Sequence, residues 1–434
     1  MAVGESWGRF PRAAQRVVTP VARDLPLPVG AGPSLPYGNG RSYGDSCLND
    51  GGDLLHTRRL DHFIAFDPAT GVLRCEAGVQ LDDILALVVP QGWFPPVTPG
   101  TRYVTVGGAI ANDVHGKNHH DAGTFGHHVR AFELLRSDGR RMVCTPDENA
   151  DWFAATIGGL GLTGLITWAE IALRRVDGPW MDTETIRFRD LDGFFRLSAE
   201  SENDFAYSVA WIDCLARGKS TGRGLFTRAN HARALKRNDA ARSTTLGMPF
   251  TPPVSLVNRA TLRAFNTLYW HRQWRERREA IEHLQAFFYP LDGIAHWNRM
   301  YGPRGFLQYQ CVVPPSVAAE ATAELLRRIA ASGTGSFLAV LKQFGNRPSP
   351  GMLSFPRPGT TLALDFPIDR DGRVFKLLET LDEVVSGAGG AVYPAKDARM
   401  SGPHFRQYFP AWEAFQPFID PAFSSGFWRR VTKP

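Results

Sequence analysis

Cysteine is scarce in this 434-residue chain: Cys47, Cys75, Cys144, Cys214 and Cys311 are odd in number and far apart, and no CxxC pair occurs. A disulfide framework and a thiolate zinc site are thereby excluded, and reduced thiols are the expected state. No run of about eighteen apolar residues is present, so no spanning helix is expected. The start, MAVGESWGRFPRAAQR, lacks the apolar core of a secretory signal, which makes the cytoplasm the expected compartment.

With 43% hydrophobic and 21% charged residues the composition is that of a globular protein long enough for two or three domains. A net charge of +6 biases the surface toward anions. The basic residues are spread among acids and no nucleic-acid module is recognisable. Phosphate-bearing small molecules or the inner face of a membrane are therefore better partners than nucleic acid.

Residues 1–175 are glycine-rich and alternate short strand patterns with small-residue turns, as in SLPY, GNGRSYG and GVLRCEAGV. They read as a mixed α+β cofactor-binding part. From Val176 the texture changes, and AYSVAWIDCL and GFLQYQCVVP read as strands of a substantial antiparallel sheet. Within it, helical periodicity over 316–332 stops at Gly333, and VFKLLETLDEVVSGAGG gives a second helix. Residues 235–274 stand apart as a flexible segment whose apolar, Arg-bearing second half has a helical pattern.

Two glycine motifs mislead. Gly159-Leu160-Gly161-Leu162-Thr163-Gly164 satisfies GxGxxG, yet a helix pattern precedes it and a strand pattern follows, the reverse of a Rossmann turn. Gly218-Lys219-Ser220 imitates a P-loop, but Asp213 stands where the leading glycine is required. Gly38-Asn39-Gly40-Arg41-Ser42-Tyr43-Gly44 is better placed: it follows a short strand and offers successive amides for a diphosphate. Thr105-Val106-Gly107-Gly108 opens a short apolar helix, whose free amides would favour an anion. Together the two loops point to one cofactor held from two sides.

Between residues 104 and 128 lie His115, His119, His120, His127 and His128. His115 and His119 have helical metal-pair spacing, but no glutamate follows the first and Gly116 interrupts the helix. No metal is assigned. Histidines donating to backbone and cofactor in a turn are the expectation.

GNGRSYGD, TPGTRYVTVGGAIANDVHGKNHHDAGTFGHHVR and GGLGLTGLI resemble the FAD domain of the vanillyl-alcohol-oxidase-like, PCMH-type flavoproteins. Together with AWIDC, YPLDGIAHWNRMYGPRGFLQYQ, LKQFG, LSFPRPGTTLALDFPI and YPAKDAR, they resemble specifically the decaprenylphosphoryl-β-D-ribose 2′-oxidase family. The resemblance implies an α+β fold in which FAD-binding residues 1–175 are followed by an inserted antiparallel-sheet substrate domain, 176–390, and a C-terminal segment, 391–434, returns to the flavin. It implies that FAD is held by Gly38, Asn39, Gly40, Arg41, Ser42, Tyr43 and Gly44, by Gly100, by Thr105, Val106, Gly107 and Gly108, by His115, Gly116, Lys117 and Asn118, and by Ile166 and Tyr393. Some relatives attach FAD through a histidine in the first glycine loop. Residues 30–51 contain none, so FAD is expected to be non-covalent.

By the same resemblance Lys396, in YPAKDAR, is the catalytic lysine, with Tyr43 and His115 beside the reacting centre. A cation there stabilises negative charge left at flavin N1 and C2=O when a hydride reaches N5. Gln308, Gln310, Lys342, Trp211, Phe344 and Ala363 would line the substrate pocket; Gln308 and Gln310, two apart on a strand pattern, share a face. Actinobacterial members have cysteine in place of Ala363 and Trp-Asn in place of Thr360-Thr361. The implied activity is oxidation of a secondary hydroxyl, the 2′-OH of a polyprenyl-phosphate-linked pentose, to a keto sugar, with a short-chain reductase completing an epimerisation. Oxidation of an alditol or aldonolactone is the enzymatic alternative. A non-catalytic flavin- or lipid-binding protein at the membrane surface is the alternative of another class, carried by the basic, apolar stretch 254–278.

Overall fold

A computed structural model describes residues 3–30, 32–233 and 246–433; within the segment 235–274, residues 235–245 lie outside the described residues. Three sheets organise the chain. A small parallel sheet places Asp53–His56 between Arg16–Val18 and Ser34–Tyr37. A five-stranded antiparallel sheet runs in the order Phe63–Asp67, Val72–Glu76, Leu165–Ala172, Val129–Leu135, Arg141–Cys144. Alternating residues of its central strands, among them Leu73, Cys75, Phe132 and Ile171, share a core with the helices Leu81–Val88, Val106–Ala111 and Ala150–Thr156. The GxGxxG stretch joins helix Ala150–Thr156 to strand Leu165–Ala172, so it closes a helix rather than opening one.

The third sheet has eight antiparallel strands: Arg277–His283, Trp180–Phe188, Gly224–His231, Tyr207–Ile212, Ala339–Phe344, Gly359–Pro367, Phe306–Val313 and Ala391–Val392. Because side chains alternate across a strand, each strand divides its residues between two environments. Leu307, Tyr309, Cys311, Leu362, Leu364 and Phe366 face one side and share a core with the helices Leu191–Ser201, Ala318–Ser332 and Arg373–Gly387. The intervening residues, Gln308, Gln310, Ala363 and Asp365 among them, face the other side and line a cavity. Helix Ala318–Ser332 stops at Gly333, whose φ of 74° is the left-handed conformation that ends a helix at low cost to glycine. In the stretch 246–274, Asn258 caps the helix Arg259–His271 by accepting from the amides of Ala260 and Thr261.

After Ala391–Val392 has joined the edge of the large sheet, the chain crosses to the first glycine loop. Tyr43 N–H donates to Ala395 O at 2.9 Å, and Arg430 bridges Asp45 at 2.7 Å and Asp397 at 2.9 Å. Arg429 donates to Asn49 Oδ1. The last forty residues thus tie the large sheet to the loops of the parallel sheet, and Lys396 sits in that tie.

Candidate active site

One cavity of about 590 Å³ opens between the glycine loops and the bare face of the eight-stranded sheet. Its wall contains Gly38, Asn39, Gly40, Arg41, Ser42, Tyr43, Gly100, Thr105, Gly107, Gly108, His115, Gly116, Lys117, Ile166 and Tyr393 on one side, and Trp211, Gln308, Gln310, Lys342, Ala363 and Lys396 on the other. Residues more than 350 positions apart in sequence are gathered here by the two β layouts and the C-terminal tie.

The first glycine loop has the chemistry of a diphosphate cradle. The amides of Asn39, Gly40, Arg41 and Ser42 donate to no acceptor among the described residues, while Asn39 is held from outside by Gln80 Oε1 and Tyr103 O, each at 2.8 Å. Arg41 Nε and Ser46 Oγ are buried at the same wall without a partner. Unpaired buried donors of this kind call for a polar ligand. A Cβ built on Gly100 would meet open space. These features fit FAD.

Four assigned residues are not at the wall. Gly44 presses on the C-terminal tie, where an added Cβ would stand 1.8 Å from Asp397 O. Val106 is fully buried in the core that the five-stranded sheet shares with its helices. Asn118 donates inward to Pro96 O at 2.8 Å. Phe344 lies behind the cavity, with its ring 4.7 Å from that of His115 and 4.5 Å from that of His119. The expected free amides at the second loop are also absent. Val106 N–H donates to Val79 O, Gly107 N–H to Ala77 O and Gly108 N–H to Thr105 Oγ1. The glycines serve close packing of this helix on residues 77–79: a Cβ on Gly107 would stand 3.0 Å from that of Ala77.

The histidines are distributed among protein partners. His120 Nε2 meets Phe205 O, His128 Nε2 meets Ala122 O, His127 reaches Pro348 O and Thr124, and His119 Nδ1 accepts from Gly345 N–H. Among the described residues no cluster has a metal-ligand arrangement. His115 is different, since it faces the cavity with Nε2 2.8 Å from the Gln310 carboxamide and Nδ1 3.2 Å from Lys342 Nζ. Burial keeps the imidazole neutral, with one accepting nitrogen, and both of its neighbours are donors: it accepts either from the Lys342 ammonium at Nδ1 or from Gln310 Nε2–H at Nε2. Burial, reinforced by the Lys342 charge, holds its pKa well below the usual value.

Among the described residues Lys396 has no carboxylate within ion-pair distance; its Nζ lies 4.0 Å from the centroid of the Tyr43 ring. Neighbouring Asp397 is engaged elsewhere, by Arg430 and by the amides of Arg399 and Met400. Burial lowers the Lys396 pKa to about 8, against the attraction of Asp365. Lys342 and Lys117 are each lowered to about 7, again mainly by burial. Lys117 donates to Phe287 O and Lys342 to Gly116 O. The Tyr43 hydroxyl is raised well above 10 by burial and by the charge of Asp365, and stays protonated.

Asp365 is the residue that the sequence reading passed over. It follows Ala363 by two, so strand periodicity alone puts both on one face, and it stands in register opposite Gln308. Gln308 Nε2 donates to its Oδ1 at 2.7 Å and the Tyr301 hydroxyl lies 3.3 Å from Oδ2. Trp7 was missed for a different reason: its ring lies under the Arg41 guanidinium at 4.2 Å, and its amide donates to Ser42 O, contacts with no local sequence signature.

The chain is similar to proteins of known family. Residues 31–145 match the family model of the FAD binding domain. The chain is 36% identical over 439 residues to the decaprenylphosphoryl-β-D-ribose oxidase of Mycolicibacterium smegmatis, covering 97% of this chain and 93% of the relative. It is 36% identical over 373 residues to an uncharacterized Streptomyces coelicolor protein encoded in the mprA 5′ region, covering 81% and 100%. Similarity to the human Δ(24)-sterol reductase is confined to 114 residues, at 36% identity, covering 26% of this chain and 22% of that one.

Proposed function

The chain belongs to the decaprenylphosphoryl-β-D-ribose oxidase family and is an FAD-dependent oxidoreductase, and from that membership and the cavity we propose that it oxidises the 2′-carbinol of a polyprenylphosphoryl pentose such as decaprenylphosphoryl-β-D-ribose to the ketone. The observation that carries this reading is the meeting of the unpaired amides of Asn39 to Ser42 with a sheet face bearing Gln308, Gln310, Lys342 and Lys396 in one cavity. FAD, when bound, supplies the two-electron acceptor. The chain's own residues hold it at the first glycine loop, orient a polyhydroxylated ring through the two carboxamides, and keep cations beside the reacting bond. The keto sugar is then the substrate of a short-chain reductase that completes the epimerisation.

Purified protein is expected to be yellow and to release FAD on acid precipitation. A polyprenylphosphoryl-β-D-ribose should bleach it anaerobically. Reduction by alditols or aldonolactones instead would replace the substrate, and flavin that stays with the precipitate would replace non-covalent binding.

We further propose that the cavity mouth rests on the anionic inner face of a membrane. Leu246, Phe250, Leu268 and Trp274 are more than 60% exposed, and the helix carrying Leu268 leads into Arg272 and Gln273 of the cavity wall. Apolar side chains beside cations suit a lipid interface. Co-sedimentation with phosphatidylglycerol vesicles, weakened by Leu268→Ser/Trp274→Ser, is expected; equal recovery of wild type and variant would remove this contact.

A further inference from the structure

Oxidation of a carbinol releases a proton as well as a hydride, and none of the residues considered so far takes it. On the proposed reading of a carbinol substrate, we infer that Asp365 is the general base that accepts the hydroxyl proton. The carboxylate is 3% exposed, lies on the cavity face between Ala363 and the edge of the strand, and belongs to no ion pair among the described residues. Gln308 donates to one oxygen and Tyr301 to the other, and each carboxylate oxygen keeps a further lone pair. These two bonds fix the carboxylate from the sheet and from the turn Trp297–Tyr301, leaving the cavity as the direction in which a third donor can approach.

Elimination strengthens the assignment. The Tyr43 phenol is held protonated, His115 has a donor against each ring nitrogen, and Lys396 carries a proton below about pH 8. Asp292 faces the cavity but accepts from the Arg102 amide at 2.9 Å, beyond the glycine loop. Burial raises Asp365 to about 7, a basicity suited to taking up a proton near neutrality. The charged and titratable groups facing it are Lys396 from the C-terminal tie, Tyr301 from the turn and Tyr43 from the glycine loop.

The step balances. The carbinol C–H bond breaks with its electron pair, delivered as hydride to the bound flavin. The O–H bond breaks and its proton passes to Asp365, while the C–O bond becomes C=O. Asp365 then releases the proton to solvent. The alcohol is oxidised and the flavin reduced by two electrons.

The test is Asp365→Asn, purified with FAD and mixed anaerobically with a polyprenylphosphoryl-β-D-ribose of three isoprene units. Wild-type reduction by this probe is the control that keeps a failed substrate reading separate from a failed base assignment. Wild type is expected to show a reduction rate that rises through pH 7, as the base ionises, and falls above 8, as Lys396 loses its proton. Asp365→Asn should be slower by about a hundredfold to a thousandfold and lose the rising limb. Asp365→Glu should restore the limb at reduced rate. Lys342 titrates in the same range, but loss of its positive charge gives a falling limb. Independently of turnover, the carboxylic-acid C=O stretch in infrared difference spectra should titrate near pH 7 in wild type and be missing in Asp365→Asn. Near-normal reduction by Asp365→Asn, or a slow reaction that keeps the rising limb, would overturn the assignment.

Discussion

Lys396→Ala is expected to give folded, yellow protein whose flavin is reduced by substrate at least about a hundredfold more slowly. The side chain lies inside the cavity with its charge over the Tyr43 ring and in no ion pair among the described residues, so its removal breaks no direct carboxylate contact, although it takes from the buried Asp365 the cation that faces it. What it does remove is a positive charge held in a poorly hydrated site, where electrostatic stabilisation of developing negative charge is stronger than in water. Loss of one such preorganised group costs about 3 kcal/mol, or two orders of magnitude in rate. Lys396→Arg keeps the charge in a larger planar group and should recover only part of the activity. Burial lowers the lysine pKa to about 8, so its contribution is complete below that pH and declines above it. Stopped-flow anaerobic reduction across pH 6 to 9 would check both statements. Lys396→Ala protein reduced at a wild-type rate would make the lysine structural and return the question to Tyr43 and His115.

The legible parts of this site were those with a local rule. Gln308 and Gln310 share a face because strands have a period of two, and the same rule, applied to Ala363, points at Asp365. The first glycine loop follows a strand, as the sequence requires of a diphosphate cradle, and its amides are unpaired. The second loop misled because small residues at a helix start serve two purposes. They permit an anion to approach, and they permit another strand to approach; here residues 77–79 take the amides of Val106 and Gly107. Periodicity cannot separate those uses, since the competing acceptor lies about thirty residues upstream. Phe344 and Asn118 lie off the cavity wall, their neighbours being set by how the five-stranded and eight-stranded sheets meet rather than by any local pattern. Gly44 was assigned to cofactor through the family resemblance of its loop, although its surroundings come from residues near the other end of the chain.

That last position carries the second large expected effect. Gly44→Ala should lower the melting temperature, weaken FAD retention and slow flavin reduction by at least about tenfold, although Gly44 is not part of the cavity wall. A Cβ there would stand 1.8 Å from Asp397 O, 2.6 Å from Asp397 C and 2.9 Å from Ala398 Cα. All three are backbone atoms, so no rotamer change relieves the overlap, and either the glycine loop or the C-terminal tie must move. Overpacking of this kind costs about 1–3 kcal/mol where the surroundings can shift. They resist here, because Tyr43 N–H is bonded to Ala395 O and Arg430 clamps Asp45 to Asp397 across the same contact. Displacement therefore separates Lys396 from the Tyr43 ring and spreads the amides of the diphosphate cradle, and a shift of about 1 Å at a reacting centre is enough for a loss of order a hundredfold. Gly387→Ala is the matched control: its Cβ would meet nothing and its φ needs no glycine, so stability and reduction should be unchanged. Thermal melts, the FAD-to-protein ratio after gel filtration and anaerobic reduction rates would read all three effects. Gly44→Ala protein with a wild-type melt and rate would mean that the tie yields freely, and that the position of Lys396 is set by the large sheet alone.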